Sequence, residues 1–428
     1  MDEPNAWRSW LEKTKTRGMA LGVEATQRAL RSLNLGEPTY ETVHVAGSNG
    51  KGTTVATLSA ALTATGIANL AFTSPHLVRV EERVRINGVP VAASEFDVAL
   101  ATVKELEDRT GQALTFFEIT FLVAAVLASR HDIKVLLLET GLGGRLDATR
   151  AAPANISVLT ALSLEHTEVL GMSLVEIARE KAAIARPSRP LIARRPDTLE
   201  VQRAIEACAE QAGSPALNEA VEPAFLEWVE MEGADGAFEE ARRLAQAVWP
   251  HLKGTEKAAF PEIGAVHWPA RMQRLPSPGR PEMSYLLDGA HNPSGMEKSC
   301  ELLEKTLMAA DEPWTLLIGS SPQSDMAAFL GPLRSLCEVR PPATVVVSVP
   351  QGGRYPGVDG AEMAQHLLDA GLPAARITAT PAEAIAWLET QNNGVRCVLS
   401  IGSLYMQGNV LEALGATDDE ALTVRAKV

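Results

Sequence analysis

Cysteine is scarce in this chain. The four present, Cys208, Cys300, Cys337 and Cys397 among 428 residues, lie far apart and never as C-x-x-C. Such spacing supports neither a disulfide framework nor a zinc site, and it implies a reducing, cytoplasmic setting. Positive charge is also in short supply: 39 Lys and Arg against 53 Asp and Glu leave a formal charge of −14. That balance excludes a general surface for nucleic acid or anionic membrane, and leaves small anionic ligands to local sites. Long hydrophobic runs are missing as well. The longest, ITFLVAAVLA (119–128), is too short to span a bilayer and reads as a buried helix, with Thr115 and Glu118 spaced before it as a capping box. The N-terminal residues hold no apolar stretch, so no signal peptide is expected. Repeats and low-complexity tracts are absent too. What is there is 46% apolar residues, enough for sizeable cores, in a length that suggests two or three domains.

Short apolar runs alternate with helical patterns throughout, which is the mark of an α/β protein. ETVHVAG (41–47) reads as a strand entering a glycine-rich turn, and a helix follows through TTVATLSAALTATG. IKVLLLETG (133–141) reads as a buried strand ending at Glu139, and ISVLTALSLEHTE (156–168) as another ending near His166. The stretch HWPARMQRLPSPGRPEMS carries Pro269, Pro276, Pro278 and Pro281 and is the candidate hinge. Beyond it, MSYLLDGAHNPSG, WTLLIGSS, TVVVSVP and CVLSIGSLYMQG carry strands, and Asn292-Pro293 and Thr380-Pro381 open helices. The expected fold is therefore α/β: a P-loop-type N-terminal domain with a mostly parallel sheet over 1–269, and a smaller Rossmann-like C-terminal domain over 276–428. Residues 214–262 carry no pattern that assigns them.

Five constellations carry chemistry. HVAGSNGKGTT (44–54) joins a strand to a helix through Gly47, Ser48, Asn49, Gly50, Lys51, Gly52, Thr53 and Thr54. Amides of such a loop cradle phosphates, a lysine meets the outer phosphate oxygens, and a hydroxyl meets metal or phosphate. The strict G-x-x-x-x-G-K-[ST] form is not met, because Val45 occupies its first position and Gly52 separates Lys51 from Thr53. Glu139 and His166 fall where strands are expected to end, the place at which α/β sheets hold ligands. GLGGRLDAT (141–149) brings glycines that suit close backbone approach, with Arg145 and Asp147 for a polar ligand; an ordinary βα loop reads equally well. In DGAHNP (288–293), Asp288 suits a ribose hydroxyl pair and His291 an anion, or both serve as turn and cap residues. His44, His131, His251 and His366 read as structural. Finally, SLVEIAREKAAIAR (173–186) opens with a capping box, Ser173 to Glu176, and places Lys181 in the middle of its apolar face. Taken alone, that lysine reads as a snorkelling stem or an internal ion pair.

HVAGSNGKGTT, FTSPHLVRVEERVRING (72–88), TFFE (115–118), ETGLGGRLDAT (139–149), LEHTEVLG with LVEIAREKAAI (164–184), WPARMQRL (268–275), LLDGAHNP (286–293) and GSLYMQG (402–408) together resemble the folylpolyglutamate synthase/dihydrofolate synthase family of Mur-type ligases, in order and spacing. The 43 residues before His44 are too few for the UDP-binding domain of the peptidoglycan branch, which favours the folate branch. The resemblance implies ATP-dependent ligation of L-glutamate to a pteroyl carboxylate through an acyl phosphate, in folate biosynthesis, by a monomer that uses ATP and Mg²⁺ at two sites and leaves K⁺ open. A diverged Mur-type ligase acting on a non-folate carboxylate is the alternative. By resemblance, Lys51, Lys181, His166 and His291 are catalytic. Thr53, Ser74, Glu139, His166 and Lys181 attend the metals, with Lys181 as a carbamate. Phe117, Arg145, Asp147 and Ala148 line the pterin site, Arg271, Asp288 and His291 surround the nucleotide, and Ser403 and Tyr405 sit in the matching GSLY loop. Domain closure about the hinge would complete the site. Four departures stand out. Glu165 replaces the usual Asp, Thr140 follows Glu139 in place of an apolar residue, SSPQSD (320–325) lacks a lysine, and no G-x-H-Q-x-x-N pattern occurs between 214 and 262.

Overall fold

The structure, a computed structural model, describes residues 4–18, 21–213, 222–256, 258–310, 312–353, 356–391 and 394–426. Two compact units emerge: Met1–Pro75 with Glu81–Val266 and Val424–Val428, and His76–Val80 with His267–Thr423.

The first unit is built on eight strands: β1 (Glu41–Ala46), β2 (Asn69–Phe72), β3 (Val84–Ile86), β4 (Val89–Pro90), β5 (Val135–Glu139), β6 (Ile156–Leu159), β7 (Pro190–Arg194) and β8 (Phe225–Val229). Their order is β4-β3-β2-β5-β1-β6-β7-β8, parallel except for the β3–β4 edge. β1, β5 and β6 are buried along their whole length, as central parallel strands covered on both faces must be. Register fixes the site: Val45 lies opposite Glu139, and Ala46 opposite Leu159. The glycine loop, Glu139 and the chain leaving β6 therefore emerge at one edge of the sheet. The helix Lys51–Ala64 is apolar nearly all round, and its residues Thr53 to Leu62 are all buried.

Two sequence expectations change here. β6 ends at Leu159, well short of His166, because Ala161 turns out of the parallel ladder into an antiparallel bridge with Asn49. Of the unassigned 214–262 stretch, residues 214–221 lie outside the described residues; β8 and the helix Gly236–Val248 account for much of the rest. β8 is a half-exposed edge strand, FLEWV, so its pattern lacks the apolar density of its neighbours.

The second unit carries six further strands. A short strand β9 (Val266–His267) marks the passage between units, followed by β10 (Gln273–Pro276), β11 (Ser284–Leu287), β12 (Trp314–Ile318), β13 (Thr344–Ser348), β14 (Arg376–Thr378) and β15 (Cys397–Ile401). The order is β10-β11-β15-β12-β13-β14, parallel except for β10. The proline-rich stretch read as a hinge is thus an edge hairpin of this sheet. Pro276 ends β10, where a missing N–H costs the ladder least, and Ser277 N–H closes the turn on the Met283 carbonyl. The passage between units falls at the first residue of that stretch, at Val266–His267, ahead of the hairpin. Among the described residues no helix is long and apolar enough to cross a membrane, and all four cysteines are free thiols.

Candidate active site

β1 delivers the chain into Gly47 at φ 149° and Gly50 at φ 88°, backbone settings that L side chains rarely adopt. A Cβ at Gly47 would also overlap Thr160 Oγ1. The loop is braced by the segment after β6. Ser48 and Asn49 N–H donate to the Ala161 carbonyl at 2.7 and 3.3 Å, Thr160 Oγ1 donates to the Asn49 carbonyl at 2.7 Å, and Ser48 Oγ bonds Ser163 O and N–H. The helix that follows points its first amides, those of Lys51, Gly52 and Thr53, outward from its positive end, as an anion site requires. Thr53 is buried in that turn, and Thr54 Oγ1 bonds back to the Gly50 carbonyl. Lys51 Nζ lies over its own loop, donating to the carbonyls of Gly47 (2.9 Å) and Ser48 (3.1 Å). Gly47→Ala is expected to weaken nucleotide binding at least tenfold, roughly the free energy of a strained backbone residue, as read by titration with an ATP analogue.

The helix Leu174–Ala182 starts at the capping box read from sequence, with Ser173 accepting from Glu176 N–H and Glu176 returning the bond. Lys181 is 1% exposed and donates to the Gly47 carbonyl at 2.9 Å and to Glu165 Oε1 at 2.8 Å. Two ammonium groups therefore converge on one loop carbonyl. Burial pulls the Lys181 amine down to about 8, with Lys51 adding repulsion and Glu165 opposing both. Burial would push Glu165 up, yet Lys181 and Lys51 bring it to about 2. Glu165 is the residue that sequence reasoning passed over. It sits in a loop with no periodic spacing to Lys181, and its only signal is that it stands where the resembling family has Asp.

Ser74 N–H donates to Glu139 Oε2 at 3.0 Å, which brings two of the expected metal-site residues together; Glu139 is buried at the end of β5. His166 stands apart. It begins a short helix in the left-handed region at φ 46°, with its side chain about half exposed, and among the described residues its ion partner is Glu168 at 3.8 Å. No group of three or more His, Cys, Asp or Glu gathers among the described residues. The donors that do gather around this edge of the sheet are oxygens, and they suit a hard divalent ion completed by phosphate.

The GLGGRLDAT loop packs between Phe117 and the Lys181 helix. A Cβ at Gly141 would come within 2.6 Å of the Phe117 ring, which itself packs on Phe72 at 5.6 Å. A Cβ at Gly144 would meet the carbonyls of Lys181 and Glu180. Arg145 pairs with Glu180 at 2.6 Å, and its N–H donates to the Glu180 carbonyl. Asp147 is fully enclosed beside buried Ala148. Its Oδ2 accepts from Gly141 and Leu142 N–H, both at 2.9 Å, and its Oδ1 from Thr149 N–H and Oγ1. All four lone-pair sites are taken within the loop. Burial pushes this carboxyl above its ordinary range while those bonds pull it back. Behind it, His44 Nε2 meets Thr149 Oγ1 at 2.8 Å. Burial, with Arg186 and Arg150 nearby, holds His44 well below 6.5. An unfolded chain gains a proton on this histidine as pH falls through 6.5, and the folded chain does not, so the stability of neutral His44 is lost toward acid. The stability advantage of the wild type over His44→Gln should shrink by up to about 2 kcal/mol between pH 6.5 and 5, measured by denaturant titration.

In the second unit, β11 leads directly into Asp288, which is buried. Its Oδ1 accepts from Ala290 N–H and Ser299 Oγ, and its Oδ2 from Met272 N–H. Arg271 lays its guanidinium over Gly289, where a Cβ would collide with it. His291 is exposed, and its Nδ1 meets the Gly289 carbonyl at 2.9 Å, which makes Nδ1 a donor. Asn292 caps the helix from Pro293, accepting from Gly295 N–H. Ser403, 1% exposed, precedes the helix Leu404–Ala413, with its Oγ 3.5 Å from Ser321 Oγ; Tyr405 lies half-buried in that helix.

No protein-family model matches the chain. It is 32% identical over 351 residues to the dihydrofolate synthase/folylpolyglutamate synthase of Escherichia coli, covering 78% of this chain and 80% of that protein. To the Bacillus subtilis protein of the same name it is 29% identical over 326 residues, covering 70% and 75%. Among solved structures, E. coli FolC in complex with DHPP and ADP superposes with a TM-score of 0.77 at 26% identity, covering 96% of this chain and 98% of that one. The Yersinia pestis bifunctional folylpolyglutamate synthase/dihydrofolate synthase with AMPPNP and Mn gives 0.76 at 26% identity, covering 97% and 98%.

Proposed function

This chain belongs to the dihydrofolate synthase/folylpolyglutamate synthase family, and from that premise we propose how its residues divide the work of an ATP-dependent ligase. The protein joins L-glutamate to folate precursors with ATP. In our reading dihydropteroate is one acceptor, and Mg²⁺ is the divalent ion. K⁺ is an additional cofactor to test in the same assay. The protein works as a cytoplasmic monomer. The observation that carries the reading is the convergence of the Gly47–Thr54 loop, Lys51, Glu139 and Lys181 at one sheet edge.

An oxygen of the pteroyl carboxylate attacks the γ-phosphorus of ATP, the bond from phosphorus to the β,γ-bridging oxygen breaks, and ADP leaves. The glutamate nitrogen then attacks the acyl carbon, and phosphate departs with the former carboxylate oxygen. The loop amides and Lys51 hold the phosphates and offset the charge that moves. Ser74, Glu139 and Thr53 would supply oxygen donors to the divalent ion, with His166 and Lys181 as further residues of the metal site in our reading; that ion would supply charge neutralisation at the phosphates. Phe117, Arg145, Asp147 and Ala148 form the pterin side. In our reading Arg271 and Asp288 serve nucleotide binding. His291, in the same reading, takes the proton of the glutamate amine, and Ser403 and Tyr405 bind substrate. Ligation with an ¹⁸O-labelled pteroyl carboxylate tests the route: one label should appear in the released phosphate, and unlabelled phosphate would exclude the acyl phosphate.

For Lys181, the reading is a carbamate, formed as the neutral amine bonds CO₂ and loses a proton. Its burial on an apolar helix face supports this. The 2.8 Å pairing with Glu165 favours a second reading, in which Lys181 remains an ammonium. Intact mass of the native protein under CO₂ separates the two.

A further inference from the structure

Three side chains in the core of the first unit make a hydrogen-bonded chain that no role above accounts for. Thr149 Oγ1 has a single proton, and it donates that proton to Asp147 Oδ1. The Asp147 carboxylate accepts from three obligate N–H donors, those of Gly141, Leu142 and Thr149, and these bonds favour its ionised form. With its proton committed, the Thr149 hydroxyl can only accept from His44, whose Nε2 lies 2.8 Å away. His44 is therefore the Nε2–H tautomer, and its Nδ1 is a buried acceptor that has no partner among the described residues. Arg150 and Arg186, from two neighbouring segments, disfavour a charge on the histidine. Both guanidiniums bond main-chain carbonyls, and among the described residues neither forms an ion pair with a carboxylate. Donation thus runs from His44 through Thr149 to Asp147, and the carboxylate also accepts, from the opposite side, the backbone N–H groups of Gly141 and Leu142.

Of those two residues, Gly141 faces Phe117 and has no room for a Cβ against its ring. The nucleotide loop is braced separately, by Thr160, Ala161 and Ser163. We propose that His44 is a positioning residue for the pteroyl substrate, holding the Gly141–Leu142 backbone against Phe117 through Thr149 and Asp147 while leaving nucleotide binding untouched. The proposal rests on the reading of Phe117 and this loop as the pterin side. Because Asp147 has every lone pair occupied within its loop, it serves here by shaping that backbone.

The test compares His44→Leu, His44→Gln and Thr149→Val in steady-state ADP release. His44→Leu and Thr149→Val should each raise KM for dihydropteroate about tenfold, the effect of one hydrogen bond in a chain that ends on a charge, with KM for ATP changed less than about twofold. The double variant should be no worse than the worse single one. His44→Gln, which returns an N–H near the Nε2 position, should recover most of the loss. Equal rises in both KM values, or a fall in melting temperature with neither KM changed, would overturn the proposal. If the wild type releases no ADP with dihydropteroate, the functional reading fails and the positioning claim is read without activity. Amide exchange at Gly141 and Leu142 should then be at least about tenfold faster in Thr149→Val, which keeps the buried volume, and unchanged exchange would overturn it.

Discussion

Lys51→Ala is expected to lower kcat for ATP-dependent ligation by about two to three orders of magnitude, the usual cost of removing one charged donor from a phosphoryl-transfer site. Lys51 Nζ rests on the Gly47 and Ser48 carbonyls, so its stem spans the loop that would receive the phosphates. Its ammonium also repels Lys181 and attracts Glu165. Alanine removes all three effects but leaves the loop braced through Ala161 and Ser163, so the fold should survive with little loss of melting temperature. Lys51→Arg should restore little, because a planar guanidinium does not fit a point-charge position between two carbonyls. Single-turnover ADP formation measures the effect, and a loss smaller than tenfold would mean that Lys51 stays on its loop during catalysis.

The second large effect is at Lys181. Lys181→Ala leaves the Glu165 carboxylate enclosed without its partner, and breaking one side of a buried pair costs about 3–5 kcal/mol of stability. It also takes one of two ammonium groups from the Gly47 carbonyl. Activity should fall at least about a hundredfold, with a clear drop in melting temperature. Glu165→Gln then decides what Lys181 is during turnover. If the lysine works as an ammonium, Glu165→Gln should be nearly as damaging as Lys181→Ala, since the two act as one unit. If it works as a carbamate, Glu165→Gln should cost much less, because a carbamate has no use for a carboxylate at 2.8 Å.

How far the sequence could be read depended on whether a feature was local. The capping boxes at Thr115 and Ser173 and the strand endings at Ala46 and Glu139 follow from local spacing, and the structure has them as read. His166 shows the limit. The apolar run after Ile156 reads as one long strand, yet Ala161 leaves the ladder to pair with Asn49, a contact more than a hundred residues distant in sequence. The prolines after 268 mark an edge hairpin, because a proline signals the lack of a donor and cannot say whether the chain is a linker or a border strand. Lys181 was visible as an anomaly on an apolar face, but its partner Glu165 came from a loop with no spacing rule. The polar line from His44 through Thr149 to Asp147 joins three segments, each of which reads as ordinary by itself.

The most direct measurement is ADP release by the purified protein with ATP, Mg²⁺ and L-glutamate, comparing dihydropteroate, tetrahydrofolate and no acceptor. The account predicts release that requires dihydropteroate and glutamate together, yielding a product heavier than the acceptor by one glutamate residue. Release that ignores the acceptor, or none with either pteroyl acid in protein that still binds ATP, would contradict it.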